Sequence, residues 1–452
     1  MIIVCKKMVS SLNRLKNNCT NKKSCKFRNK FTAFSTFLLK NIEKNQNMLY
    51  DEKGKRKKAM RNIIFKILVI FLKILYAPMR LLRPKDNVTL ISREGNKESM
   101  EFKKIREELE RTYPKYKVKV ISKKIEEKDG ILKQLLPNCI SIFQQMYNLA
   151  TSKVIVVDTY CITACILPHK KETKVIQIWH ALGAIKKFGY QTIGKKSGSN
   201  EKTAKIMCMH KNYDYVLAPS KATAKLYEEA FNVTEDKIKY IGIPRIDYIL
   251  EKDEEATRKI YEMYPILKQK QNIVYVPTYR KGEKIELDEL VEKIDTNKYN
   301  LVIKLHPLDL KEYNYKEKEG IIYEKKCKTY DLLKIADKII TDYSSLSIES
   351  SLLQKPIYFY TYDLEKYEQD TGINFDFENE PIGKYKADNA TQLVELLEQD
   401  YDYSALRDFK EKYISVDTNN CTKQIVEFIA RLIKNEEVQS MGNEPIKKEQ
   451  NI

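Results

Sequence analysis

Residues 338–360 read KIITDYSSLSIESSLLQKPIYFY. KIITD (338–342) and PIYFY (356–360) are short β-rich apolar runs, and between them Leu346, Leu352 and Leu353 recur at helical spacing. Strand, helix, strand in that order predicts a βαβ unit, which needs parallel pairing and burial of both sheet faces. Working outward, IVYVP (273–277) and LVIKL (301–305) extend the same alternation. An earlier set comprises VTLIS (88–92), VKVIS (118–122), VIVVD (154–158), VIQIW (175–179) and YVLAP (215–219). It closes with KYIGIPRIDYI (239–249) and the charged stretch EKDEEATRK (251–259). The expectation is an α/β protein of two doubly wound, Rossmann-like domains, 86–250 and 251–433, with a ligand cleft between them. The polar tail 434–452 is expected to be disordered.

The chain has 452 residues, with 82 Lys and Arg against 62 Asp and Glu, a formal charge of +20. A composition of 42% hydrophobic and 32% charged residues excludes a wholly disordered chain, a collagen-like repeat and a multi-span membrane protein. Residues 1–60 hold 16 Lys and Arg and three acids, a net of +13, which leaves +7 for the remainder. Such an arm, expected to be disordered, points to an anionic surface. Its aromatic residues, Phe27, Phe31, Phe34, Phe37 and Tyr50, are not interleaved as stacking platforms, so nucleic acid is not the expected partner. Nine scattered cysteines without a CxxC read as reduced thiols, and MIIVCKK has too few apolar residues for a secretory signal, so a cytosolic chain is expected.

RNIIFKILVIFLKILYAPMRLLRPK (61–85) is the most apolar stretch, yet its longest uncharged run is six residues, where a span needs ~20. Lys66 and Lys73 share one helical face and leave Ile64, Phe65, Ile67, Leu68, Phe71, Leu72, Leu75 and Tyr76 on a broad apolar surface. With cations before and after it, this segment is expected to be an amphipathic helix in an anionic membrane interface. A helix packed on the next domain has the same pattern.

Ligands of open α/β sheets bind beyond the carboxyl ends of the strands. There the sequence puts His180 after VIQIW, Thr278 and Arg280 after IVYV, His306 after LVIKL, and Asp342, Ser344 and Ser345 after KIIT. A histidine suits general base work, although one bonded to a loop carbonyl fits the same place. Ser344 and Ser345 are a helix cap or a phosphate cradle. Arg280 is a fork for pyrophosphate or a surface arginine, and Lys186 and Lys187 add phosphate charge compensation or face solvent. Glu349, one turn into the helix, accepts from ribose hydroxyls or is solvated. GYQTIGK (189–195) is followed by Lys196 instead of Ser or Thr and is not read as a P-loop. No metal site and no cofactor are expected.

Taken in order, WHALGAIKKFG, LAPSKATAKLYEEAF, IGIPRID, YVPTYR, IKLHP, TDYSSLSIESSLLQKPIYFYTYDLEKY and GINFDFENEPIG resemble the CDP-glycerol glycerophosphotransferases of teichoic-acid synthesis, from about Asn87 to Arg431. The resemblance implies a GT-B fold with an N-terminal acceptor domain and a C-terminal donor domain. It implies transfer of glycerol phosphate from CDP-glycerol to a hydroxyl on a polyprenyl-linked acceptor at the cytoplasmic membrane face, with release of CMP. His180 would be the base, His306 would contact the pyrophosphate, and Thr278, Arg280, Ser344 and Ser345 would hold donor phosphates. Glu349 would hold the ribose. Tyr279 stands where many members have Trp, and Glu349 where Asp is usual. A CDP-ribitol transferase and a nucleotide-sugar glycosyltransferase share this scaffold and remain alternatives.

Overall fold

The computed structural model describes residues 55–124, 131–280, 285–306, 309, 313 and 318–436. Most of the basic arm, Pro307 and nearly all of the polar tail lie outside these residues. Two parallel six-stranded sheets form the frame. The first contains β1 (Lys85–Ser92), β2 (Lys117–Ser122), β3 (Ser152–Val157), β4 (Lys174–Gln177), β5 (Tyr215–Leu217) and β6 (Ile238–Lys239), in the order β2-β1-β3-β4-β5-β6. The second contains β7 (Gln271–Tyr275), β8 (Tyr299–Ile303), β9 (Ile321–Tyr323), β10 (Lys338–Thr341), β11 (Ile357–Tyr360) and β12 (Lys386–Ala387), in the order β12-β11-β10-β7-β8-β9. Central strands are apolar on both faces because helices cover both; Val154 to Val157 and Leu301 to Ile303 are fully buried. Two such domains facing across a cleft make a GT-B architecture, as expected.

Strand order reverses between β1 and β3 in one sheet and between β7 and β10 in the other. At a reversal the flanking crossovers run to opposite faces and leave a crevice at the strand ends. The turns after β7 and β10 carry Thr278, Arg280, Asp342, Ser344 and Ser345, so these residues meet at the second crevice. Glu94 and Asp158 follow β1 and β3 at the first, and His180 follows the adjacent β4.

The apolar segment begins its helix early: it runs Lys55–Tyr76, so the last residues of the basic arm are helical, as Lys, Arg, Ala and Met readily are. A short turn, Met79–Leu81, precedes β1. Val69, Leu72 and Tyr76 are buried in the N-terminal domain, and the Thr203 hydroxyl donates to Asn62 Oδ1 at 3.1 Å. Ile63, Ile70 and Ile74 remain exposed. The helix Ile131–Thr151 packs on the turn Met79–Leu81 and exposes Ile140, Phe143 and Tyr147.

The chain also crosses back. The helix Cys421–Lys434, within the span assigned to the second domain, packs on the helix Met100–Thr112 and on β3 of the first. Lys153 donates to the Ile433 carbonyl at 2.8 Å, and Asp247 accepts from the amides of Cys421 and Thr422, each at 2.8 Å.

Candidate active site

Trp179 leaves β4 with a left-handed backbone, φ 54°, which is unusual for a bulky residue. Its amide donates to Gln177 Oε1 at 2.8 Å, and its ring stacks on Phe188 at 4.5 Å and meets the edge of Phe231 at 5.2 Å. This packing holds the turn that presents His180 to the cleft.

His180 Nδ1 lies 2.9 Å from the main-chain oxygen of Asp158. A carbonyl only accepts, so Nδ1 carries the hydrogen and Nε2 holds the lone pair of the neutral ring. The bond of His180 to a loop carbonyl is therefore present, and it fixes the tautomer. Its environment lowers the imidazole pKa below the usual 6.5, chiefly through burial in the cleft, helped by Arg245 and Lys186, while Glu94 at 3.9 Å opposes the shift. Asp158 itself is buried, and desolvation pushes its carboxyl up to about 7.

The cleft beside His180 has a volume of about 340 Å³ and draws Gly183, Lys186 and Arg245 from one domain and Tyr330, Ser344, Ser345 and Glu349 from the other. Ser345 donates its hydroxyl to the Gly183 carbonyl across it at 2.8 Å. Glu349 lines the cleft but is not solvated: its Oε1 accepts from Arg245 Nη1 at 2.9 Å and from the Leu182 amide at 3.3 Å, and its Oε2 accepts from Tyr330.

Arg280 is buried, not superficial. It donates to Asp342 (2.9 Å), to the Thr278 carbonyl (2.9 Å) and to both oxygens of Asp363 (2.6 and 2.9 Å), which raises its pKa further. Thr278 donates both its amide and its hydroxyl to Asp342. These bonds lock the β7 and β10 turns together. A second compartment of about 580 Å³ adjoins this turn, and Lys186, Lys187, Lys366, Tyr279 and Arg280 are among its lining residues. His306 does not line the cleft beside His180; it is exposed, with its ring 4.6 Å from that of Tyr279. Desolvation of the ring by its neighbours, and then the charge of Lys124, lower its pKa.

Residues 75–431 match the family described as CDP-Glycerol:Poly(glycerophosphate) glycerophosphotransferase. The chain belongs to this family. This glycerophosphotransferase-family chain is 31% identical over 362 residues to the teichoic acid ribitol-phosphate primase of Bacillus spizizenii, covering 77% of the chain and 92% of the relative. It is 29% identical over 390 residues to the teichoic acid glycerol-phosphate primase of Bacillus subtilis, covering 83% and 99%. A solved wall teichoic acid polymerase, TagF, shares its fold with a TM-score of 0.62 at 20% identity, covering 85% of this chain and 99% of that one. The chain is thus a teichoic-acid glycerol- or ribitol-phosphate transferase by family.

In this transferase the residue the sequence reading passed over is Arg245. It sits in the quoted IGIPRID, but a lone arginine at the start of a helix gives no signal that four bonds to two domains will converge on it. Glu101 and Tyr330, its neighbours, lie in ordinary amphipathic helices and are equally silent.

Proposed function

We propose that the protein transfers glycerol phosphate from CDP-glycerol to a hydroxyl of a lipid-linked, teichoic-acid-type acceptor, with His180 as general base. The observation that carries this is the fixed tautomer of His180 in a cleft whose far wall is the double-serine turn. The acceptor O–H gives its proton to Nε2, the acceptor oxygen bonds to the phosphorus bearing glycerol, and the P–O bond to CMP breaks. The protein's task is positioning and charge neutralisation. Ser344, Ser345, Thr278 and Arg280 are assigned to the donor phosphates, His306 to the pyrophosphate and Glu349 to the ribose. Their mutual bonds give Thr278 and Arg280 the added task of fixing the turn that carries Ser344. Lys186, which lines both compartments, is assigned to the charge that develops between them.

A second reading, CDP-ribitol as donor, is supported by the 31% identity to a ribitol-phosphate primase against 29% to a glycerol-phosphate primase. The experiment is CMP release by purified protein from either donor, with and without a lipid-linked glycerol-phosphate acceptor. Acceptor-dependent release from CDP-glycerol, abolished in His180→Ala, is expected. Release from CDP-ribitol alone selects the second reading, and release from neither, with UDP-sugars consumed instead, selects a glycosyltransferase.

The proposed location is the cytoplasmic membrane face, peripherally bound. Arg61–Leu81 is long and apolar enough to cross a membrane by length and composition. The helix ends at Tyr76, however, and its first residues, 55–58, are all charged, so that its apolar part from Arg61 measures about 24 Å at ~1.5 Å per residue, against a ~30 Å hydrocarbon core. One of its faces is also packed on protein. A helix lying in the interface fits both facts and leaves Ile63, Ile70 and Ile74 for lipid.

A further inference from the structure

We propose that Arg245 is a positioning residue that ties the donor-side carboxylate Glu349 to the loop carrying His180, so that the base is correctly set only when the two domains are closed on each other. This rests on the role of His180 proposed above.

Arg245 lies in the first turn of the helix Pro244–Leu250 with its guanidinium partly buried between the domains. Nε donates to Glu101 Oε1 at 2.8 Å, and Nη2 donates to the same oxygen. Nη1 divides its two hydrogens between the main-chain oxygen of His180, at 2.5 Å, and Glu349 Oε1, at 2.9 Å. Its guanidinium carbon sits 5.5 Å from the centre of the Tyr330 ring, whose hydroxyl bonds the other oxygen of Glu349. One nitrogen therefore joins the backbone of the residue that takes the proton to the carboxylate assigned to the donor.

The shape of the side chain matters. Only a planar fork offers donors at fixed angles to Glu101 on one edge and to His180 and Glu349 on the other; an ammonium is a point charge that cannot span them. Separation of the domains removes Glu349 and Tyr330 from the arginine, and with them the restraint on its Nη1 edge. The bond to the His180 carbonyl then loses its second anchor. A donor that bonds Glu349 through its ribose engages the same carboxylate, so occupancy of the donor site bears directly on the backbone of the base.

Arg245 also faces the imidazole with a permanent positive charge. Among the described residues, the other charged or titratable groups that face that ring or share its cleft are Glu94 from the turn after β1, Asp158 from the turn after β3, Lys186 from its own loop, and Tyr330 and Glu349 from the C-terminal domain. Loss of the Arg245 charge removes one opponent of protonation, which moves the acid limb of the rate profile to higher pH.

The test is Arg245→Met and Arg245→Lys, each in the wild-type and His180→Ala backgrounds, read by single-turnover CMP release, donor KM, the pH profile of kcat and thermal melting. Arg245→Met is expected to lower kcat at least tenfold and raise the acid limb, whereas Arg245→Lys keeps the limb in place but not the rate. In the His180→Ala background Arg245→Met is expected to cost less than twofold more. A loss in that background equal to the loss in wild type, or an unmoved acid limb, overturns the proposal. If Arg245→Met does not fold, Glu101→Gln leaves the arginine but weakens its anchor. A kcat loss of at least threefold, absent in the His180→Ala background, then supports the proposal, and an unchanged kcat refutes it. Failure of the underlying reading looks different: wild type without acceptor-dependent CMP release, or His180→Ala as fast as wild type.

Discussion

The hydroxyl of Ser345, on the C-terminal domain, donates to the main-chain oxygen of Gly183, on the N-terminal domain, at 2.8 Å. The contact is possible because Gly183 has no side chain: a Cβ there would lie 2.3 Å from Cδ1 of Ile348, three residues beyond Ser345. The double-serine turn and the His180 loop therefore touch backbone to side chain, and a methyl group at Gly183 fits only if the end of the Ile348 side chain moves.

Gly183→Ala should thus push the two walls of the cleft apart and lower kcat/KM about tenfold, since displacement of positioned groups by ~1 Å is costly to catalysis. The clash is with the end of a side chain, so adding Ile348→Val, which removes that methyl, should restore most of the loss. Wild-type kinetics in the single variant would show that the contact has no bearing on turnover.

His180→Ala should lower turnover at least ~10²-fold with an unchanged melting temperature, as expected for loss of a general base. In the wild type the folded-state pKa of His180 is depressed, so the neutral, proton-accepting ring persists below pH 6.5. The rate should therefore hold as pH falls through 6.5 and decline only below it. An acid limb centred above 6.5 in the pH profile of kcat would contradict this environment.

Arg280→Met leaves Asp342 and Asp363 without their charged partner in a buried site. Breaking a buried ion pair from one side costs about 3–5 kcal/mol. Denaturant unfolding should register that loss. A rise in donor KM with full stability would instead assign Arg280 to the ligand alone.

His210 is buried and bonded through Nδ1 to the Tyr213 hydroxyl at 2.9 Å, and burial depresses its pKa to about 3. Between pH 6.5 and about 3 the unfolded chain binds a proton that the folded chain refuses, so stability falls as pH falls through this window. At pH 5 the loss is about 2 kcal/mol relative to pH 8, at ~1.4 kcal/mol per pH unit. His210→Asn, which tolerates the left-handed backbone at this position (φ 55°), should remove that share of the acid sensitivity. Parallel unfolding curves at pH 8 and 5 for both proteins check it; identical pH dependence would refute it.

Ile70 and Ile74 are exposed on the helix Lys55–Tyr76. Replacing both with Glu should reduce flotation with anionic vesicles at least fivefold while CMP release with a soluble acceptor analogue stays near wild type. Equal flotation would move the membrane contact elsewhere, and the exposed Ile140, Phe143 and Tyr147 would be the next substitutions.

By itself the sequence determined the strands with strong apolar runs, the parallel α/β class, and the positions of His180, Thr278, Arg280, Ser344 and Ser345 at strand ends. These are local or periodic properties: β-rich runs, helical spacing and turn residues are written in neighbouring positions. The edge strands β9 and β12 escaped because three and two residues carry no periodicity. The early start of the helix at Lys55 was masked by charge. What only the tertiary structure decided is pairing across distance. The tautomer of His180 depends on a carbonyl 22 residues away, the state of Arg280 on carboxylates 62 and 83 residues away, and that of Glu349 on Arg245, 104 residues away. A charge in a sequence looks the same whether it will face water or a buried partner; burial and the partner's identity are fixed only when two sheets and the loops between them close on one cleft.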